Sequence, residues 1–323
     1  MSIPFDERGF YRATETDQSE SAYSQARASH RRGELVRLRR GVYAGQQGSD
    51  GPEAAHRRAA VAALYRIDQP AVISHESAAL FWRLPLLAVP GRVHITTGPG
   101  RASGGAPGVL QHRVPLDSVE VVEMDSRIPV TCIERTIADV LRTSTFEAGV
   151  VVLDAALANR WRKAGQEAST ALSGAVGDSI ARSGSARGTR IATSVVAFAD
   201  ARSESPGESL SRARMAQLGF VVPDLQHEVR ANGRHLGRVD FWWPEGRIVG
   251  EFDGAVKYGE LAGSAGGLGA LLEEKRREDG IRRYVDGFAR WGWKDAFEGR
   301  GLAAALTAAS VPRVGRGRRP RFV

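Results

Sequence analysis

Apolar and polar positions switch between helical and strand periods several times along the chain. Residues 19–31 are polar but helix-compatible, and Gly33 predicts a stop after that helix. Leu35, Val36, Leu38, Val42 and Tyr43 then suit two short strands, with Arg39-Arg40-Gly41 as the turn. A helix followed by a two-stranded wing is the end of a winged helix-turn-helix. Further on, AVIS (71–74), RVHITT (92–97) and VEVVEM (119–124) read as strands. SHESAALFWRL opens a helix, with Ser74 as N-cap and Glu76 and Ser77 in the first turn. ERTIADVLR and FEAGVVVLDAALANRW carry helical periodicity, with Ile137, Val140 and Leu141 on one face. In the last third, Ser205-Pro206-Gly207-Glu208 is a capping-box signature, and Leu210, Ala213, Met215 and Leu218 form the stripe of a helix ending at Gly219. A strand meander comes next: 226–230, 236–242 and 247–253, turning at Asn232-Gly233 and at Pro244-Glu245-Gly246. Residues 273–284 form a charged helix.

These elements make a multidomain α/β (α+β) protein. The glycine-rich stretch 45–52, the weakly patterned region 165–205 and the arginine-rich end divide it into segments. They are a winged helix unit (1–50), an α/β unit (51–160), a helical connector (161–202), a C-terminal unit (203–300) with an αβββαβ order, and a helix end with a basic tail (301–323). A length of 323 residues fits two or three domains, at about 100–200 residues each. Hydrophobic residues at 42% and charged residues at 25% exclude fibrous and wholly disordered chains. The single cysteine, Cys132, permits neither an internal disulfide nor a cysteine-based zinc finger. No apolar run approaches the roughly 20 residues that cross a bilayer. The first twenty residues lack an apolar signal segment, so a cytoplasmic location is expected.

The formal charge of +8 is mostly local. Arg313, Arg316, Arg318, Arg319 and Arg321 contribute five positive charges in the last twelve residues. The charge that points to nucleic acid lies in the wing, where Arg31, Arg32, Arg37, Arg39 and Arg40 face one acid, Glu34. Such a cluster grips phosphates and confers salt dependence without reading sequence, and it equally describes a solvated basic face. His75 and His94, with no third ligand in view, are expected as cap or core residues. Together, GELVRLRRGVYA, VISHESAALFWRLPL, VHITT and IPVTCIERTIADVLR resemble the AbiEi family of type IV antitoxins over about residues 3–155. The resemblance implies a winged helix followed by an α/β antitoxin domain, DNA as ligand, repression of the protein's own operon, and a cognate toxin as partner.

Alternation along the strands places Glu251 and Asp253 on one face, and the hairpin brings Asp240 beside Glu251. Like charges opposed on neighbouring strands destabilise a sheet, so the three carboxylates call for a counter-charge. Mg²⁺, a hard ion that favours carboxylate oxygen, is the natural one. Lys257 is placed to reach a phosphate or an attacking water. Lys275, Arg276, Arg277, Arg282 and Arg283 offer phosphate contacts, or equally an exposed helix with Glu273–Arg277 and Glu278–Arg282 pairs. Trp242 and Trp243 flank the acids, and alternation sends one of them into the core.

SPGESL, LQHEV, RVDFWWPE, VGEFDGAVKY and KRREDGIRR resemble the PD-(D/E)xK nuclease superfamily over about residues 203–293, and within it uncharacterised relatives of the Vsr mismatch endonucleases. The resemblance implies Asp240 and Glu251 as core metal ligands, Asp253 as an auxiliary ligand, Glu208 as an acid from the first helix, and Gln226 at a position often polar. The chain departs from the pattern where the superfamily lysine is expected, since Asp253 stands there, and Lys257 occupies a position where relatives often carry histidine. The expected activity is that of a Mg²⁺-dependent endodeoxyribonuclease. The alternatives are a noncatalytic regulator or antitoxin of a type IV toxin–antitoxin system and, by analogy alone, a mismatch-repair nuclease.

Overall fold

The computed structural model describes residues 5–12, 20–46, 51–67, 69–99, 107–125, 127–184, 186–231, 233–254 and 267–315. The chain divides into two compact units, Met1–Val140 and Leu141–Val323. No helix among the described residues is long and apolar enough to cross a membrane.

The first unit contains two sheets. Strands β1 (Phe10–Arg12), β2 (Leu35–Arg39) and β3 (Val42–Gly45) form an antiparallel sheet in the order β1-β3-β2. Helix α1 (Glu20–Arg31) covers one face through Tyr11, Ala22, Ala26, Leu35 and Tyr43. Gly33 and Gly41 take left-handed φ values of 78° and 77°, where the chain leaves α1 and turns between β2 and β3. The expected two-stranded hairpin is thus present, and β1 adds a strand that three residues are too few to announce by periodicity. One described helix precedes the wing.

The other face of this sheet shares a core with the second sheet and its helices. Phe10, Val42 and Ala44 pack with Ala60, Val61, Ile73, Val93, Ile95 and Val130. The five-stranded sheet runs β6-β5-β4-β8-β7, from β4 (Ala71–Ile73), β5 (Val93–Thr97), β6 (Val109–Arg113), β7 (Val121–Met124) and β8 (Ile128–Thr131). Pairs β4/β8 and β5/β6 are parallel, while β4/β5 and β7/β8 are antiparallel. Helices α2 (Pro52–Leu64), α3 (His75–Phe81) and α4 (Ile133–Thr143) complete the layer. Ser74 holds the N-cap position of α3, but its side chain makes no cap bond. Its hydroxyl instead accepts a hydrogen bond from Thr96 Oγ1 at 2.8 Å.

The second unit begins with α5 (Phe146–Arg182), broken at Gly165 (φ 84°), and α6 (Thr189–Phe198). From α7 (Pro206–Leu218) the order is αβββαβ: β9 (Asp224–Ala231), β10 (Arg234–Trp243), β11 (Ile248–Asp253), α8 (Gly267–Arg282) and β12 (Gly287–Gly292). The sheet order is β12-β11-β10-β9, with β11 and β12 parallel and the other pairs antiparallel. Helices α9 (Trp293–Glu298) and α10 (Arg300–Ala308) end the order. The third strand starts one residue later than the pattern predicts, because Arg247 (φ 44°) closes the Pro244–Gly246 turn in the left-handed region. Asn232 of the expected hairpin turn lies outside the described residues, and Gly233 beside it has φ 75°.

Two contacts fix α7 against its surroundings. A Cβ on Gly207 would stand 2.0 Å from the Phe252 ring, so only glycine lets the first turn of α7 lie this close to β11. Arg212 Nη2 donates to both carboxylate oxygens of the fully buried Asp154 of α5, at 2.8 and 3.0 Å, and Nη1 donates to the Phe198 carbonyl at 2.7 Å. Burial raises the Asp154 carboxyl, and the guanidinium and the Asp200 amide oppose that rise. Of the tryptophans, Trp243 and Trp291 are core, donating to the Val221 carbonyl and the Ser211 hydroxyl. Trp242 stacks on His227 at 4.9 Å, and Trp293 meets Phe252 edge-on.

Candidate functional site

The capping box that starts α7 also delivers Glu208 to the sheet. The Ser205 hydroxyl accepts from the Glu208 amide at 3.2 Å and donates to Glu208 Oε1 at 2.7 Å. Glu208 Oε2 accepts from the Glu204 amide and from Gln226 Nε2, both at 2.9 Å. Gln226 reaches it from a left-handed backbone (φ 55°) within β9, a strained conformation that turns its amide toward the acid. Glu208 is buried, and desolvation raises its carboxyl.

Asp240 occupies β10, whose register pairs Phe241 with Gly250, so continuing the ladder sets Asp240 against Glu251. Asp240 Oδ2 accepts from the Phe252 amide at 2.9 Å. Burial first, then the charges of Glu208 and Glu251, push its carboxyl up to about 7, against the opposing pull of the Phe252 amide and Arg277. Two of the three acids read from the strands are therefore cross-strand neighbours, and Glu208 acts on Asp240 by charge.

The counter-charge to Glu251 is supplied by the chain itself. Arg277 Nη2 donates to Glu251 Oε1 at 2.9 Å, and Arg290 Nη2 donates to Oε2 at 2.7 Å. Arg290 also pairs with Glu278 at 2.8 Å, which in turn pairs with Arg282 four residues on. Arg277 further donates to the Arg238 carbonyl at 2.9 Å. It thus turns inward onto the acid, whereas Lys275 and Arg276 stay exposed on α8. Arg290 was hidden in sequence because its position opposite Glu251 follows from the parallel pairing of β11 with β12. Asp253 is half-buried at the end of β11 and helps hold Arg290 protonated. Neither Asp240, Glu251 and Asp253 nor Glu208, Asp240 and Glu251 gather to within 4.8 Å; among the described residues, the group that does is His75, His94 and His112. Lys257 lies outside the described residues, as does the Glu273 side chain.

The basic wing is less uniform than its sequence. Arg31, Arg37 and Arg40 are exposed. Arg32 is held by Glu34 at 2.6 and 2.9 Å and by Ser29, and Arg32 draws the Glu34 carboxyl down to about 2. Arg39 is half-buried, donates to the Pro107 carbonyl at 2.8 Å, and has its guanidinium lowered by desolvation. In the basic tail, Arg313 donates to the Leu218 carbonyl and lies over Phe220 at 4.1 Å; residues 316–323 lie outside the described residues.

No family model matches the chain. A stretch of 76 residues is 36% identical to the uncharacterized protein MT2308 of Mycobacterium tuberculosis strain CDC 1551 / Oshkosh and, equally, to the uncharacterized protein Rv2248 of strain ATCC 25618 / H37Rv. The match takes in 24% of this chain and 28% of each relative, so the chain spans under a third of their length. The crystal structure of the RV2827C protein from M. tuberculosis superposes with a TM-score of 0.32 at 18% identity, over 55% of this chain and 70% of that one. Likeness of that order leaves the reading of the site to this chain's own residues.

Proposed function

We propose that the chain is a cytoplasmic DNA-binding protein whose αβββαβ core hydrolyses phosphodiester bonds with Mg²⁺. In this reading the C-terminal core is a PD-(D/E)xK, Vsr-like domain, and the first unit an AbiEi-like winged module that holds DNA. The observation that carries the reading is the cross-strand placing of Asp240 against Glu251, with Glu208 acting on Asp240 by charge and Asp240 raised to about 7. A carboxylate pushed that far by burial and then by neighbouring acids is relieved by a divalent ion, and oxygen donors suit hard Mg²⁺. Asp240 and Glu251 would hold it. When bound, the ion supplies charge neutralisation and an activated water.

The chain's own groups do the positioning. The Phe252 amide orients Asp240, Gln226 and the α7 cap orient Glu208, and Arg277 and Arg290 fix both oxygens of Glu251. The two guanidiniums are also suited to meet phosphate oxygens. Asp240→Asn is expected to lower Mg²⁺-dependent plasmid nicking at least about 100-fold, the scale of losing one electrostatic catalytic group, while DNA binding survives. Unchanged nicking would sink the reading.

A second reading, a noncatalytic regulator or antitoxin with a toxin partner, is favoured by the two arginines that already neutralise Glu251 and by Asp253 at the lysine position. It predicts specific DNA binding without nicking in either Mg²⁺ or Mn²⁺.

A further inference from the structure

We propose that His75, His94, His112 and Glu76 form a Zn²⁺ site in the first unit, apart from the carboxylate cluster. The three histidines come from three elements: the start of α3, β5 and β6. The parallel ladder that sets Thr96 against His112 brings the third ring to the other two. Ring centroids of His75 and His112 are 3.6 Å apart, those of His94 and His112 5.2 Å, and those of His75 and His94 5.6 Å. One nitrogen from each ring lies within 4.8 Å of the others.

The spacing suits a tetrahedral ion. Two nitrogens at about 2.0–2.1 Å from zinc in a tetrahedral site stand about 3.3–3.4 Å apart. His112 Nε2 and His94 Nδ1 are 3.3 Å apart. Glu76 Oε2 is 3.0 Å from the same His94 Nδ1. That oxygen is buried and meets no hydrogen-bond criterion, although it faces an imidazole nitrogen. His75 stacks on His112 with 14° between the ring planes, so it has to turn as well as move by roughly 1–2 Å to aim a nitrogen at the shared position.

Around the rings, the Ser74 hydroxyl lies 3.0 Å from His75 Nδ1, and Asp139 lies 3.9 Å from it, partners of the kind that orient zinc-bound histidines. Asp139 is itself bound to Arg135, which pairs with Glu120, so the surroundings carry both signs. His75 is held at φ 53°, a left-handed conformation for a residue with a Cβ, and such strain collects at functional sites. Imidazole suits zinc, and four protein ligands make a closed site, which is structural in kind. It would tie α3 to β5 and β6.

The test is titration of the purified full chain with Co²⁺, followed by visible absorption, and then displacement by Zn²⁺. The expected result is one tetrahedral Co²⁺ per chain, bleached by Zn²⁺, with affinity at least about 100-fold weaker in His94→Ala and His112→Ala, the upper end of what even outer-partner changes cost. Asp240→Asn should keep the spectrum, which separates this site from the proposed Mg²⁺ site. Zn²⁺ should raise the thermal midpoint of the wild type and shift its imidazole ¹⁵N resonances, a readout that needs no variant to fold. Absence of a tetrahedral spectrum in the wild type, imidazole resonances unmoved by Zn²⁺, or a spectrum unchanged in folded His94→Ala and His112→Ala, would overturn the proposal and leave a neutral hydrogen-bonded histidine stack.

Discussion

Asp240 carries the sharpest consequence of any single residue. Its folded value near 7 stands above the 3.8 of the free side chain, so between these pH values the folded chain keeps a proton that the unfolded chain has released. Folding therefore loses stability as pH rises from about 4 to 7, and the cost is constant above that window. In chelator, Asp240→Asn should remove this slope and be the more stable protein at pH 8 by about 1–3 kcal/mol, allowing for partial exposure. Urea denaturation across a pH series measures it, and a wild-type profile flat between pH 4 and 7 would contradict it. Strand alternation made Asp240 and Glu251 legible as neighbours. It gave no hint of Arg277 and Arg290, which stand 26 and 39 residues from Glu251 and reach it from a helix and a parallel strand.

Helix α7 is the element on which the site hangs. Its ends were readable, since Ser205 and Glu208 cap the start and Gly219 closes it with φ 79°. Its depth was not. Nearly every position from Gly207 to Ala216 is buried, because α7 lies between the sheet and α5 rather than on a surface with one wet face. Asp154→Ala would leave Arg212 buried and unpaired, a loss of about 3–5 kcal/mol. Arg212→Met with Asp154→Leu should recover much of it by replacing both charges with apolar groups, and denaturant midpoints compare the two. Gly207→Ala drives a methyl into Phe252 at a cost of about 1–3 kcal/mol. Because Glu208 is the next residue, it should also move the Glu208–Gln226 contact, visible as a changed Gln226 side-chain amide resonance.

At the scale of the whole molecule, composition overstates how much basic surface is available. Arg32 and Arg39 are engaged within the wing and its surroundings, and Arg313 is folded onto Phe220. Arg31, Arg37 and Arg40 remain exposed. If this wing holds DNA, replacing those three with alanine should reduce the slope of log affinity against log salt by about 2.7, at 0.9 per phosphate contact. Arg32→Ala should change it far less. Fluorescence anisotropy with a duplex at several salt concentrations separates the two, and equal effects would show that the wing does not grip DNA through its exposed arginines.

The sequence alone determined the local features, because each depends on neighbours a few residues away. The hairpin and its glycine turns, the cap of α7, the αβββα order from α7 to α8 and the facing of Asp240 on Glu251 all come from period, turn chemistry and hairpin connection. Tertiary structure decided what depends on strands and helices distant in the chain. Strand β1 joins a sheet that three residues cannot advertise, and the wing shares a core with the five-stranded sheet. The arginines reach Glu251 through the parallel β11–β12 pairing. His112 reaches His75 and His94 through the parallel β5–β6 pairing, across intervals of 37 and 18 residues that match no short motif. Periodicity records which face of an element is buried; it does not record what another element brings to that face.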